Sequence, residues 1–276
     1  MSQRSWPARS CRLVLLCAWA VLAQGAIAQN LVHINGTGSG TGGMRLLAAA
    51  FMKTHPGIKV EVQQALGSSG GIGALSAGQI EVAVSNRPPK ESESAKRALA
   101  SVEYARTPFV VAVHRDLGIT SLSSAQLAAL FAEGAATYPN GKRARPVLRM
   151  SDTVDTDLLK SFAPVVAQAV DLALKRRGML NADTDSEAAD LVENTTGAFA
   201  VSTLALIESE KRPLVALAID GKSPTLAGLA DGSYPLFKPL YLITAADAAA
   251  NTRAFAAFVR SVEGRALLHA HGHATP

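Results

Sequence analysis

Two segments rich in Gly, Ser and Thr constrain the fold of this chain more than any other feature. The first, GTGSGTGG at 36–43, separates a strand pattern at 31–35 from a helical pattern at 44–53. The second, GSSGG at 67–71, follows the strictly alternating strand pattern of 58–63 and precedes another short helical pattern. A repeated order of strand, glycine turn and helix predicts a layered, mainly parallel α/β fold.

The rest of the chain predicts how such layers are connected. A nearly continuous apolar run at 107–114 predicts a fully buried strand, and 240–244 has the same character. Residues 153–175 predict helix with a bend near Pro164, and 251–268 predict a closing amphipathic helix. If the chain forms two lobes, it must cross between them through the two apolar strands, which leaves a cleft where small ligands usually bind.

The first 28 residues predict a cleavable secretory signal. Three Arg precede a short apolar run at 13–22, and Ala26 and Ala28 are the small residues that a signal peptidase reads. The run is too short to span a bilayer as a helix. We therefore expect a periplasmic protein with no direct membrane insertion once residues 1–28 are removed.

The net charge of +5 suggests nucleic-acid binding at first sight. However, three of the 27 Lys and Arg residues lie in the predicted signal and none of the 22 Asp and Glu residues does, so its removal lowers the charge to +2. Nucleic acid is therefore not an expected partner. Both cysteines, Cys11 and Cys17, also leave with the signal, which excludes a disulfide or a Cys metal site.

The first Gly/Ser/Thr segment has the design of an oxyanion site. Unpaired N–H groups at a helix start attract anions, glycines let a ligand approach the backbone, and hydroxyls add donors. The alternative is a tight turn. A second alternative is dinucleotide binding, because Gly38, Gly40 and Gly43 match G-x-G-x-x-G and Glu61 follows at about the expected distance. Export argues against that reading, since nicotinamide cofactors are scarce outside the cytoplasm.

Further candidates follow other strands. Ser68 and Ser69 lie in the second Gly/Ser segment, which is otherwise a flexible turn. Asn86 and Arg87 end the strand pattern of 80–85, and Arg87 offers planar donors to a tetrahedral anion unless it is simply solvated.

The last candidate segment begins at Arg149 and leads into the long predicted helix. Ser151 and Thr153 offer hydroxyls, whereas Asp152 or Thr153 can also serve only as a helix cap. A carboxylate here could accept the O–H of hydrogen phosphate, and it would repel a fully deprotonated anion such as sulfate.

These segments together carry a family resemblance. The chain resembles the phosphate-binding subunit of ABC importers over nearly its whole exported length, in the order GTGSGTGGMRLLAAAFMKTHPGIKVEV, GSSGGIGALSAGQIEVAVSNRPPK, TPFVVAVH, YPLFKPLYLIT and FAAFVRSVEGRALLHAHGHATP. The resemblance implies a two-lobed class II periplasmic-binding-protein fold, with mixed sheets flanked by helices, a cleft and two crossover strands. We expect lobe I at 29–112 with 240–276, and lobe II at 113–239.

The resemblance also implies which residues hold the anion. These are Ser39, Gly40 and Thr41 after the first strand, Ser68 or Ser69 in the second segment, and Arg149 with the residues up to Thr153. The chain departs from the family in two places. Asn86 stands where an Asp often accepts the phosphate proton, and Thr153-Val154-Asp155 replaces a Ser-Gly-Thr tripeptide. Asp152 or Asp155 could supply the missing acceptor, or the pocket could prefer another oxyanion.

The resulting hypothesis is a binding protein that captures phosphate or a related tetrahedral oxyanion for an ABC permease in the inner membrane, with no cofactor, metal or catalytic residue. The alternatives are an exported phosphatase-like or dinucleotide-binding enzyme, and a sensory or scaffold protein with the same lobes. The sequence has no H-E-x-x-H motif, and G-x-S-x-G occurs only at 67–71, within the second Gly/Ser segment. His269, His271 and His273 alternate near the C-terminus, where we expect a mobile tail rather than a metal site.

Overall fold

The computed structural model describes residues 30–132, 134–150 and 153–276, so the predicted signal at 1–28 and the candidates Ser151 and Asp152 lie outside the described residues. The strands are β1 Leu31–Gly36, β2 Lys59–Val62, β3 Val82–Ser85, β4 Leu99–His114, β5 Ser121–Leu122, β6 Arg145–Leu148, β7 Leu180–Asn181, β8 Ala198–Thr203, β9 Leu214–Ala216, β10 Ala218–Ile219 and β11 Phe237–Ala245. The helices are α1 Gly38–Thr54, α2 Gly67–Ser76, α3 Glu91–Ser94, α4 Ser124–Ala129, α5 Val154–Lys160, α6 Pro164–Leu174, α7 Asp185–Asn194, α8 Leu204–Ser209, α9 Leu226–Asp231, α10 Ala250–Val259 and α11 Val262–His269.

Nine of these strands form a mixed sheet in the order β2-β1-β3-β11-β4-β8-β6-β7, with β9 also paired to β4. The pairs of β1 with β2 and β3 are parallel, as are those of β6 with β7 and β8. Strands β11 and β4 are antiparallel to their neighbours in the centre of the sheet. The mixed α/β architecture implied by the family resemblance is therefore confirmed. The mainly parallel sheet predicted from the order of strands and helices is present only toward the two edges.

Strand β4 joins two separate hydrophobic cores. Its first part pairs with β11 as far as Pro108, and from Phe109 onward it pairs with β8. Ala105 packs in one core with Leu240 and α1, whereas Phe109 packs in the other core with α4 and α6. The long strands β4 and β11 thus carry the chain between the two cores, and the apolar runs at 107–114 and 240–244 belong to them.

Both glycine-rich segments are helical in the structure rather than loops. Helix α1 begins at Gly38 and α2 at Gly67, several residues earlier than the sequence predicts. Glycine costs about 1 kcal/mol in a helix relative to alanine. In α1, close packing offsets this cost. A Cβ on Gly38 would lie 2.6 Å from Oγ of Ser186, and one on Gly43 would lie 2.8 Å from the ring of His273.

The C-terminal residues are packed and not a mobile tail, so that prediction is wrong. His273 is fully buried. The backbone of Ala274 pairs with that of Arg106 through two hydrogen bonds of 2.7 Å, because the unpaired edge of β4 is open to another segment there. The predicted bend near Pro164 is a full break, since α5 ends at Lys160 and a second helix, α6, starts at the proline. Among the described residues, none of the helices has the length and apolar character needed to cross a bilayer.

Candidate oxyanion-binding cleft

A cleft of about 580 Å³ lies over the junction of the two cores, where β4 and β11 cross. Its walls come from the end of β1, the start of α2, the end of β3, the segment before α5, the start of α7 and the start of β11. The lining residues are Thr37, Leu66, Gly67, Ser68, Ser69, Asn86, Arg87, Lys90, Arg149, Met150, Thr153, Val154, Asp155, Asp183, Thr184, Asp185 and Lys238.

The start of α2 presents hydrogen-bond donors to this cleft. Gly67 has a φ of +74°, which turns the chain out of the preceding loop into the helix. The hydroxyl of Ser68 accepts a 3.0 Å bond from the backbone N–H of Asn86, and that of Ser69 accepts a 2.9 Å bond from Arg87. Neither serine O–H has an acceptor among the described residues. Both protons are therefore free for a ligand, next to the positive end of the helix dipole.

Asn86 ties the two glycine-rich segments together. Its side-chain Nδ2 donates to the carbonyl of Pro239 at 3.1 Å, which fixes the orientation of the amide. Its Oδ1 then accepts the hydroxyl of Thr37 at 2.6 Å, while its backbone reaches Ser68 on the other segment. An Asn is suited to this position because it both donates and accepts, which an ionised Asp cannot do.

Arg87 lines the edge of the cleft with its charge already compensated. Its two terminal nitrogens bond both carboxylate oxygens of Glu93 at 2.7 Å. The bonds from Arg87 hold the pKa of Glu93 below its ordinary value, although partial burial acts in the opposite direction. Arg87 therefore positions Ser69 as much as it offers charge to a ligand.

Four charged side chains, three of them buried, form the floor of the cleft. Lys238 is ion-paired with Asp185 at 2.7 Å and also with Asp155, and Nε of Arg149 donates to Asp155 at 3.0 Å. Arg149 also donates through Nη1 to the carbonyl of Ala182 at 3.1 Å. Its Nη2 has no partner among the described residues. The guanidinium therefore keeps one donor face for a ligand in the cleft.

The protonation states on the floor follow from burial and pairing. Burial penalises the charge on Asp185, but Lys238 and Arg149 outweigh that penalty and hold its pKa well below the ordinary value. Burial raises the pKa of Asp155, and its neighbours Lys238 and Arg149 offset this only in part. Burial also disfavours the charge on Lys238, yet the two carboxylates raise its pKa. The lysine is therefore charged at neutral pH.

The start of α1 meets a protein carboxylate. The backbone N–H of Ser39 donates to Oδ2 of Asp185 at 3.2 Å, its hydroxyl donates at 2.6 Å, and Thr37 approaches the same oxygen at 2.9 Å. The donors that the sequence analysis assigned to an anion thus hold Asp185 at the start of α7, a helix that packs in a further cluster with Val110 and Ala112 of β4. This contact joins the two sides at the back of the cleft.

The predicted site residues that the structure describes fall into three groups. Ser68, Ser69, Asn86, Arg87, Arg149 and Thr153 line the one cleft. Ser39 reaches only its floor, through Asp185. Gly40 and Thr41 do not line it, because Gly40 packs against Val84 and Tyr104, and the Thr41 hydroxyl bonds the Gly38 carbonyl at 3.3 Å inside the helix.

Thr153, which lines the cleft, also caps a helix, as its alternative interpretation predicted. Its hydroxyl accepts the N–H of Thr156 at the start of α5. The space around the G-x-G-x-x-G glycines is filled by protein atoms, as Gly38, Gly40 and Gly43 each have a side chain of the chain itself against them. A pyrophosphate has no room there, which argues against dinucleotide binding at this segment.

Sequence reasoning missed Asp185 and Lys238 as site residues. Lys238 carried a signal: it alternates with Leu240 and Leu242 in β11, which places it on the buried face of the strand. Asp185 follows Thr184, whose hydroxyl caps α7, but nothing local indicates that its carboxylate faces α1, 146 residues away in sequence.

A mixed sheet that two long strands carry across two cores, beneath a polar cleft, defines the architecture of class II periplasmic binding proteins. The profile of the family described as PBP superfamily domain matches residues 23–263, and the chain belongs to this family.

Individual relatives are more distant. The chain is 25% identical over 229 residues, covering 81% of it and 74% of the relative, to the phosphate-binding protein PstS of Bacillus subtilis (strain 168). Its fold is similar to that of a phosphate ABC transporter substrate-binding protein of Clostridium perfringens solved with bound phosphate (TM-score 0.71, 19% identity, 90% of this chain and 100% of that one). It is also similar to an ABC-type phosphate transport receptor of Vibrio cholerae (TM-score 0.55, 22% identity, 89% and 100%).

Proposed function

We propose that this protein captures phosphate or a related tetrahedral oxyanion in the cleft and delivers it to an ABC permease. The observation that carries the proposal is the pair of free hydroxyls of Ser68 and Ser69 at the start of α2, which share one cleft with the open donor face of Arg149. Serine hydroxyls, helix N–H groups and a guanidinium are the donors that replace the water shell of such an anion. The names of the relatives in Bacillus, Clostridium and Vibrio support the same ligand class.

The proposal places the main donors on the second glycine-rich segment rather than on the first. Ser39 contributes by holding Asp185. The carboxylate that accepts the phosphate proton comes from the floor, where Asp155 and Asp185 take over the role that an Asp at position 86 often has in the family. A carboxylate accepts the O–H of hydrogen phosphate or hydrogen arsenate but repels sulfate, which has no proton to donate at neutral pH.

The same proposal includes an exported, two-lobed protein. The core packing supports lobes that meet in β4 and β11, with lobe I close to 29–112 plus 240–276 and lobe II close to 113–239. Phe109 already packs in the second core, so the crossing in β4 falls a few residues before 112. Each lobe supplies part of the shell that surrounds the anion.

The test is calorimetric titration of the purified protein with phosphate, arsenate, sulfate and molybdate. We expect phosphate and arsenate to bind at least tenfold more tightly than sulfate. Failure of all four anions to bind at millimolar concentration would contradict the proposal. Co-purification with permease subunits distinguishes transport from a sensory or scaffold role, and a capture function predicts no turnover of a chromogenic phosphate ester.

A further inference from the structure

The cleft is larger than a small inorganic anion requires, although its two sides are already in contact. Asp185 joins them at the floor through Ser39 and Lys238. On the outer surface of α1, Arg45 reaches Glu210, on the other side, at 2.9 Å. About 580 Å³ nevertheless stays open above the floor. Pockets of roughly 300–1,000 Å³ enclose organic ligands of many atoms, whereas phosphate has five heavy atoms.

The mouth of the cleft is apolar on both sides. Leu66, Met150 and Val154 are 57%, 56% and 48% exposed, and all three line this cleft. They are three of only six large hydrophobic residues with such exposure in the part of the chain that the structure describes. Leu66 precedes α2 on one side, while Met150 and Val154 flank the start of α5 on the other. Such clustering at one opening indicates a surface that contacts an apolar group.

Charge pairing points in the same direction. Arg87 is paired with Glu93, Arg149 with Asp155, and Lys238 with two carboxylates. The charges of these three basic side chains are already neutralised, and only Lys90 lines the cleft without an ion pair among the described residues. A small dianion therefore gains limited net Coulomb energy on leaving water. Contact with apolar side chains would add binding energy that the charges do not supply.

We infer that the ligand is a phosphorus oxyanion that carries an organic substituent, such as a phosphate monoester or a phosphonate. The inference rests on the proposed function. The anionic group binds at Ser68, Ser69 and the open face of Arg149. The substituent lies toward the mouth, against Leu66, Met150 and Val154.

The test compares inorganic phosphate with methyl phosphate, phenyl phosphate and phenylphosphonate by calorimetric titration of the purified protein. We expect the two phenyl compounds to bind at least tenfold more tightly than inorganic phosphate. The affinity of methyl phosphate should lie between that of inorganic phosphate and those of the phenyl compounds. Leu66→Ser and Val154→Ser should each weaken phenyl phosphate several-fold while leaving inorganic phosphate unchanged.

Val262→Ser is the matched control. Val262 is also the first residue of a helix that follows a hydroxyl cap, and it is exposed outside the cleft. We expect it to change neither affinity. Inorganic phosphate binding as tightly as the phenyl compounds would overturn this inference and leave the proposed function standing, as would a phenyl preference that survives both cleft variants. If none of the compounds binds, the proposed function itself fails.

Discussion

The starts of α1 and α2 are nearly the same in composition and opposite in role. Every residue from Gly38 to Met44 is buried, and the donors of Ser39 are taken by Asp185. In α2, by contrast, Ser69 is exposed and the serine protons have no acceptor among the described residues. The glycines of α1 allow neighbouring elements to approach closely, whereas Gly67 turns the chain so that hydroxyls face the cleft. A glycine-rich helix start is therefore evidence for close approach, and the surroundings decide whether protein or ligand approaches.

The largest expected effect comes from removing the carboxylate that α1 holds. Asp185→Ala leaves Lys238 with one partner instead of two and the two donors of Ser39 without their acceptor, while the Thr37 hydroxyl keeps Asn86. We expect the free energy of unfolding to fall by about 3 kcal/mol in urea denaturation followed by circular dichroism.

Asp190→Ala on the same helix is the control for this loss. The Asp190 side chain is 59% exposed, and its partner Arg212 keeps Glu193 and Glu210. We expect a change below about 0.5 kcal/mol. Equal losses in the two variants would show that α1 and α7 are not joined through Asp185.

The buried surroundings of α1 also predict a pH dependence through His273, which packs against Gly43. Burial lowers the pKa of His273 from 6.5 to about 4. The unfolded chain therefore binds more protons between these values, so the stability is fully present above pH 6.5 and is lost as the pH falls through 4. We expect wild type to lose about 3 kcal/mol more than His273→Gln between pH 7 and pH 4, in urea titrations at each pH.

Glu208, near Gly272, has a pKa raised by burial and titrates in both proteins, so the difference between them isolates His273. Parallel pH profiles for wild type and the variant would mean that the C-terminal residues do not pack on α1.

A matched pair of glycine substitutions sharpens the contrast between the helices. Gly38→Ala in α1 forces a Cβ against Ser186 and should cost about 2 kcal/mol. Gly73→Ala in α2 has open space around it and should stabilise by about 0.5–1 kcal/mol, because alanine favours helix. Thermal melts of both variants check the opposite signs, and the same sign in both would refute the packing role of the α1 glycines.

The smallest effect concerns binding. Ser69→Ala removes a free donor, while Arg87 keeps both bonds to Glu93, so affinity for inorganic phosphate should fall several-fold, about 1 kcal/mol, with the melting temperature unchanged. Thr41→Val, a hydroxyl loss within α1, should leave the affinity unchanged. Titration calorimetry measures the phosphate affinity of both variants. A larger loss of affinity for Thr41→Val would show that the anion binds at the first glycine-rich segment.

Local patterns predicted much of this molecule. Hydrophobic patterns predicted β2 and the buried part of β4, because side-chain burial follows the geometry of each element. Pro164 predicted a bend where the structure has a break. The family resemblance predicted the mixed sheet. Residues after neighbouring strands, such as Ser68 and Asn86, reach one cleft because the ends of parallel strands β1, β2 and β3 share an edge.

What local patterns did not predict was the partner of each charged or polar group. The Ser39 donors can bind either a ligand anion or a carboxylate of the chain itself. Because Asp185 is far from Ser39 in sequence, no local pattern indicates which of the two they bind. The C-terminal histidines look solvated until the edge of β4 is known to need a partner at Arg106.

The amino-acid sequence by itself determined the alternation of strands and helices, the buried strands that cross between cores, and the supply of donors at helix starts. Only the tertiary structure decided which donors form hydrogen bonds within the protein and which remain for a ligand. The physical reason is that a helix start and its glycines are local properties, whereas hydrogen-bond saturation depends on groups that folding brings together from distant segments.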